Sequence, residues 1–297
     1  MTRIDDKLGA EPIVSFEFGP PRSVEAELAF WSAIEELAAL EPAFVSVTCG
    51  AGGTTRDLTL AVVRRLARER ALVAVPHVTA TGFTRDELVA LLAEAAAGGA
   101  DNVLALRGDP PRGEATWRAP EGGLRSSLEL TELAAEAGFC VLGAAYPEPH
   151  ADSRGWAEDL AHLRAKVDAG VRVLVTQLFF ANDDYRRLVD RLRAGGIDVP
   201  VLPGVIPITS IAMIERITAL CGATIPAVLR RELEARQDDP RAVAELGVAY
   251  ATAQAAELLD EGAPGVHLYT LNRSPATRAI VSALRAAGKL PAATPAA

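Results

Sequence analysis

Eight short apolar runs, rich in β-branched residues, divide this chain at regular intervals: 13–18, 44–48, 73–78, 102–106, 140–145, 173–177, 201–204 and 266–269. Between them lie stretches of helical period at 24–39, 58–69, 84–97, 128–137, 156–169, 183–194 and 211–220. A run of four to six apolar residues suits a strand buried on both faces, and strand-helix alternation puts such strands in a parallel sheet. Eight units favour a closed (β/α)8 TIM barrel over an open sheet. Residues 225–262, ahead of the eighth run, read as extra helix broken at Pro240. No flexible linker brackets that segment, so it is expected to elaborate the barrel wall.

A chain of 297 residues fits one such barrel, although length alone also allows two domains. The expected division is an N-terminal extension at 1–11, one catalytic domain at 12–288 and a flexible tail at 289–297, where the sequence turns small and Pro-rich. A net charge of -9 without a basic stripe argues against nucleic acid and anionic membranes. An anionic small ligand would therefore meet local cations such as Arg107, Lys166 or Arg273. Cys49, Cys140 and Cys221 are widely spaced, odd in number and without a CxxC pair, which fits a reducing cytoplasm. No apolar run reaches the roughly 18 residues of a membrane span.

In barrels of this type chemistry collects at the C-terminal ends of the strands. Those positions hold Glu17, Thr48, His77, Arg107-Gly108-Asp109, Tyr146, Glu148, His150, Gln177 and Asn272-Arg273. Singly each has a plain structural reading: His77 as a hydrogen-bonded core histidine, Arg107-Gly108-Asp109 as a turn, Gln177 as a strand end. Their fall at one end of successive strands is what points to a site. His77, His150, Glu17, Asp109 and Glu148 are metal-ligand types, but no HxH or HExxH spacing occurs, and a metal-dependent barrel lyase stays an alternative. The Gly-rich stretch 50–57 opens a helix and offers amides to a phosphate, without the Lys of a P-loop.

The stretches SFEFGPPR (15–22), FVSVTCGAGGTTRD (44–57), PHVTATGFTRDEL (76–88), NVLALRGDPP (102–111), GAAYPEPH (143–150), KVDAGVRVLVTQLFF (166–180) and YTLNR (269–273) together resemble the bacterial flavin-dependent 5,10-methylenetetrahydrofolate reductases. The resemblance implies a (β/α)8 barrel that binds FAD, takes electrons from NADH or NADPH, and forms 5-methyltetrahydrofolate for methionine synthesis. It assigns FAD contacts to Thr48, Cys49, Ala51, His77, Arg107, Gly108, Asp109, Ser127, Tyr146, His150, Asp159 and Lys166. Folate and nicotinamide contacts fall on Glu17, Asp109, Gln177, Ile211 and Arg273, with Glu17 and Asp109 as the catalytic pair. Gly19, Cys49, Ser126-Ser127 and Ile211 depart from the family pattern, and Gly19 predicts a looser loop beside Glu17. Related enzymes form homo-oligomers; the sequence itself carries no interface signature. A folate-binding barrel without flavin is the other alternative.

The implied reaction asks Glu17 for a proton. Flanked by Phe16 and Phe18 at the end of an apolar strand, its carboxyl is expected to be raised by desolvation and to be protonated at neutral pH.

Overall fold

In the computed structural model, which describes residues 2–9, 11–50, 53–109, 118–149 and 153–293, every apolar run becomes a strand parallel to its neighbours. The chain runs β1 (Ile13–Phe18), α1 (Val24–Ala38), β2 (Phe44–Val47), α2 (Arg56–Glu69), β3 (Ala74–Thr79), α3 (Arg85–Gly98), β4 (Asn102–Leu106), α4 (Ser127–Glu136), β5 (Cys140–Ala145), α5 (Trp156–Asp168), β6 (Val171–Thr176) and α6 (Asn182–Ala194). There follow β7 (Val201–Leu202), β8 (Gly204–Val205), α7 (Ile211–Cys221), α8 (Ala227–Glu234), α9 (Pro240–Asp260), β9 (Gly265–Tyr269) and α10 (Pro275–Ala286).

Strand order is β7-β6-β5-β4-β3-β2-β1-β9-β8. The seventh run is split at Pro203, which has no N–H to give a ladder. Its first half pairs with β6 and its second half with β9, while the Pro203 carbonyl accepts the His267 N–H at 2.9 Å. The seventh stave thus joins both neighbours and the eight-stave barrel closes. Nothing in the fold subdivides the expected alternation further.

The seventh wall helix is not where the helical period first suggests it. α9 packs on α6, α10, β8 and β9, filling the wall position. α7 and α8 instead join Leu178, Phe180, Ile206 and Ile208 in a separate apolar cluster near the C-terminal rim. Pro240 opens α9 at its first turn, where its missing N–H costs nothing, and the Asp239 side chain accepts from the Arg241 and Ala242 amides. Close approach of α9 depends on Gly247, since a Cβ there would fall 1.8 Å from the Ile208 carbonyl oxygen.

The N-terminal residues seal the opposite end. Ile4 is fully buried among Phe44, Val75, Leu104, Cys140 and Leu142, inside the base of the barrel. Burying such a side chain contributes about 1.5–3 kcal/mol. The Asn102 side chain fixes it, accepting from Ile4 N at 2.9 Å and donating to Thr2 O at 2.8 Å. At the C-terminus the expected flexible tail does not begin at 289. Leu290 is buried in the main core and Lys289 donates its backbone N–H to Leu284 O.

Candidate active site

Strand alternation decides the environment of Glu17. Phe16 and Phe18 pack into the layer between sheet and helices, Phe18 edge-on to Phe30 at 5.5 Å. Ser15 and Glu17 therefore belong to the barrel lumen. There Glu17 Oε2 faces His77 Nε2 at 3.4 Å and His267 Nε2 at 3.7 Å, with 19% of its side chain exposed. His267 comes from β9, brought beside β1 by barrel closure with Ser15 paired to His267 in register. Ser15 Oγ lies 2.8 Å from His267 Nδ1, so a hydroxyl donating there leaves the Nε2–H toward Glu17. The His267 ring stacks on Phe44 at 5.5 Å, which fixes its plane.

This cluster overturns the expected state of Glu17. Burial pushes its carboxyl up, but the His267 and His77 imidazoles outweigh burial, and the net displacement is downward. The phenylalanines that were to desolvate it point the other way. Burial in turn pushes His77 down, against the pull of the Glu17 charge. At neutral pH Glu17 is accordingly a carboxylate between two imidazoles, not a carboxylic acid.

Two confluent cavities open at the C-terminal ends of the strands. The outer one, about 1320 Å³, is lined by residues that include Glu17, Arg22, Met213, Arg216, Leu271 and Arg273. The inner one, about 330 Å³, reaches His77, Thr79, Leu104, Ala144 and Val175. Glu17, Thr48, Arg107, Asp109, Tyr146, Gln177 and Tyr269 line both. Most of the residues expected at the site therefore do converge.

Gly108 adopts φ +87° in the turn after β4, and a Cβ there would fall 2.7 Å from Thr81 Oγ1. Thr81 donates both its N–H and its hydroxyl to Arg107 O. Asp109 is exposed at the junction of the cavities. Burial, then the Asp109 charge, raises the Tyr146 hydroxyl. Gln177 turns its Oε1 onto the Leu178 amide at 2.8 Å. Cys49 lines the inner cavity, its thiol pushed up by burial. Lys166 lies beneath the rim, 4% exposed, its Nζ donating to Ala144 O at 2.8 Å, and burial lowers its pKa to about 8.

Other expected residues fall outside the cavity walls. Ser127 is buried at the start of α4 with its hydroxyl 3.3 Å from His162 Nε2. Asp159 lies on α5 and acts on Lys166 by charge. Ile211 packs against the apolar cluster of α7 and α8, and Met213 lines the cavity from that helix instead. Glu148 accepts from Thr224 N at 2.8 Å and Thr224 Oγ1 at 2.7 Å, strapping the turn after β5 to the α7–α8 link. Ala51 and His150 lie outside the described residues. Among the described residues no group of three or more His, Cys, Asp or Glu side chains is arranged to hold a metal ion.

The loop expected to be loosened at Gly19 is clamped. Asn272 accepts from Gly19 N and donates to Gly19 O, both at 2.8 Å. Leu271 and Asn272 take φ +52° and +59° to make this turn, a strained pair of the kind found at functional rims. Thr270 adds its hydroxyl to Glu17 O at 2.6 Å, so the backbone at Glu17 is held from the last stave.

His267 and Tyr269 are the site residues that sequence reasoning missed. Tyr269 donates its hydroxyl to Thr176 O at 2.6 Å and lines both cavities. Both residues alternate with apolar neighbours in the last strand, and that alternation was the available signal.

Three comparisons bear on this architecture. A solved Clostridium thermocellum protein described as binding two copies of 5-methyl-5,6,7,8-tetrahydrofolic acid superposes with a TM-score of 0.63 at 14% identity, covering 92% of this chain and 93% of that one, a likeness of fold. The Escherichia coli (strain K12) 5,10-methylenetetrahydrofolate reductase is 36% identical over 271 residues, 91% of this chain and 90% of that protein. The Arabidopsis thaliana methylenetetrahydrofolate reductase (NADH) 1 is 35% identical over 270 residues, 87% of this chain but 46% of that protein, so the chain spans about half the length of its plant relatives. The methylenetetrahydrofolate reductase family model matches residues 3–285. This chain, with its carboxylate between two imidazoles at the floor of a barrel mouth, belongs to the methylenetetrahydrofolate reductase family.

Proposed function

We propose that this protein reduces 5,10-methylenetetrahydrofolate to 5-methyltetrahydrofolate with NADH or NADPH, using bound FAD. The observation that carries the reading is the Glu17 carboxylate, 3.4 Å from His77 and 3.7 Å from His267, where the two cavities meet. The three cysteines are free, which fits a reducing cytoplasm. Among the described residues no helix is long and apolar enough to cross a membrane.

The cavity suits FAD. His77 Nε2 and Thr79 Oγ1 are buried without a hydrogen-bond partner and both residues line the inner cavity, so polar groups of a ring system would find partners there. Arg107 lines both cavities and supplies a cation for a diphosphate, while Lys166, beneath the rim, adds positive charge from below. The outer cavity, about 1320 Å³, exceeds the usual upper range of about 1,000 Å³ for a single small-ligand site, and so suits a cofactor and a substrate together. Bound flavin supplies hydride transfer, first from nicotinamide and then to the folate one-carbon unit.

The chain supplies protons and charge. Opening the bridged folate ring to an iminium requires a proton at the leaving nitrogen. With its carboxyl held down by the imidazoles, Glu17 does not itself keep that proton at neutral pH. Substrate that covers the remaining exposed part of Glu17 removes water from it and raises its affinity for a proton, which the adjoining imidazoles of His77 and His267 are placed to exchange. Asp109 supplies an anion for the positive charge that develops on the substrate.

The test is to supply purified protein with FAD, methylenetetrahydrofolate and either nicotinamide cofactor, and to follow 5-methyltetrahydrofolate by chromatography. Folate binding without that product would mark a binding barrel instead.

A further inference from the structure

Residues 211–235 form a second layer on the rim. Of the 11 residues of α7 only Ile214 is buried, and Leu220 is 83% exposed. α7 and α8 meet the barrel through an apolar cluster with Leu178, Phe180, Ile206 and Ile208, apart from the main core. Such packing is non-directional, so it holds the pair down without fixing its register. Yet α7 is a wall of the outer cavity, to which it gives Met213, Arg216, Ile217, Leu220 and Cys221. None of its residues lines the inner cavity.

Glu148 supplies the missing direction. Thr224, in the link between the two helices, donates its N–H to Glu148 Oε1 at 2.8 Å and its hydroxyl to Glu148 Oε2 at 2.7 Å. Among the described residues these are the only hydrogen bonds that join α7, α8 or their link to another stave. Glu148 follows β5, so the two bonds pass over the sixth stave to reach the segment after β8. There burial raises the Asp184 carboxyl of α6, opposed by Arg187 and helped by the Glu148 charge. A carboxylate beside a second carboxylate is unfavourably placed, and the bonds to Thr224 offset that cost.

We propose that Glu148 is a positioning residue: through Thr224 it latches α7 as the wall against which the folate lies, and so sets how tightly the outer cavity holds that substrate. This rests on the folate reading above. Glu148 itself lines neither cavity, so it acts on affinity and not on the reacting atoms. With the latch gone, α7 is in place for only a fraction of the time, and the apparent affinity falls by that fraction. Folate that has bound holds the wall itself, and the chemical step proceeds as before. FAD seated at the inner cavity keeps its affinity, since α7 does not reach it.

The test compares Glu148→Ala with Thr224→Val, an exposed position where the substitution leaves the fold alone. On FAD-loaded protein the KM for methylenetetrahydrofolate should rise about tenfold in E148A, as loss of hydrogen bonds to a charged group provides, and about threefold in T224V, with kcat within about twofold. E148A/T224V should be no worse than E148A, because both changes act on one contact. E148Q keeps an acceptor for the Thr224 N–H and should recover most of the loss. Amide hydrogen exchange, which needs no turnover, should quicken about tenfold over 211–221 in E148A and stay unchanged over 240–260. An unmoved KM in both variants, a fall in kcat at constant KM, additive single effects, or unaltered exchange over α7 overturns the proposal. Native protein without folate turnover, beside quickened exchange in E148A, overturns the folate reading and the ligand assignment with it, but not the latch.

Discussion

His77 Nε2 stands 3.4 Å from Glu17 Oε2, buried and without a hydrogen bond of its own. A neutral imidazole beside a carboxylate, both beneath an open cavity, is an arrangement in which one proton changes place at small cost when a ligand covers the pair. The proposed chemistry depends on that exchange.

Glu17→Gln keeps size and hydrogen bonding but has no proton to give. Reduction of methylenetetrahydrofolate should fall by about 10²–10⁴-fold, the usual loss for a general acid. Reduction of bound FAD by NAD(P)H needs no acid and should stay near the wild-type rate. Stopped-flow absorbance of each half-reaction, on folded and flavin-loaded protein, checks this; wild-type folate turnover would remove Glu17 from the acid role.

His267→Asn removes one of the two groups that hold the Glu17 carboxyl down. Burial then dominates, the acid form persists to higher pH, and the alkaline limb of the pH profile for folate reduction should move upward. An unmoved limb in a folded variant would show that His267 does not govern Glu17.

Stability should decline on the acid side. Folded His77 binds a proton less readily than a free imidazole at 6.5, so below that value the unfolded chain takes up the extra proton and stability falls. The Glu17 carboxyl is lowered from 4.5, so its contribution is intact above that value and is lost as pH drops through its folded pKa. Urea midpoints measured against pH should show both steps, and His77→Gln should flatten the one that begins as pH falls below 6.5.

Lys166 sits lowered from 10.5 to about 8 by burial. Between those values the unfolded chain binds more protons than the folded one, so stability should rise with pH there, and Lys166→Met should abolish that slope. The same variant should weaken FAD binding modestly, since Lys166 acts on the cavity by its charge from beneath the rim and not by contact. Unfolding curves and FAD fluorescence titration read the two effects separately.

Gly247→Ala tests the wall position of α9 independently of any activity. The new methyl meets the Ile208 carbonyl, and overpacking of this kind costs about 1–3 kcal/mol. A thermal midpoint equal to wild type would mean that α9 does not approach the turn before α7 so closely.

The eight strand positions and most rim residues were legible in the sequence because they rest on local signals, apolar period and strand ends. What escaped was set by contacts between distant segments. Both 211–220 and 240–260 carry helical period, and only packing on β8 and β9 selects the second as the wall helix. Ser127 sits at a helix start rather than in the cavity wall, which a motif match does not reveal. The direction in which Glu17 is displaced depends on which way Phe16 and Phe18 turn and on His267, a partner on the last strand.

That last strand has a consequence for synthesis. A ribosome releases Glu17 early, yet the imidazole of His267, the hydroxyl of Thr270 and the clamp of Asn272 arrive only when the eighth stave has emerged and docked beside the first. No growing chain short of that point holds Glu17 in its finished surroundings, so the proposed chemistry would start only at ring closure.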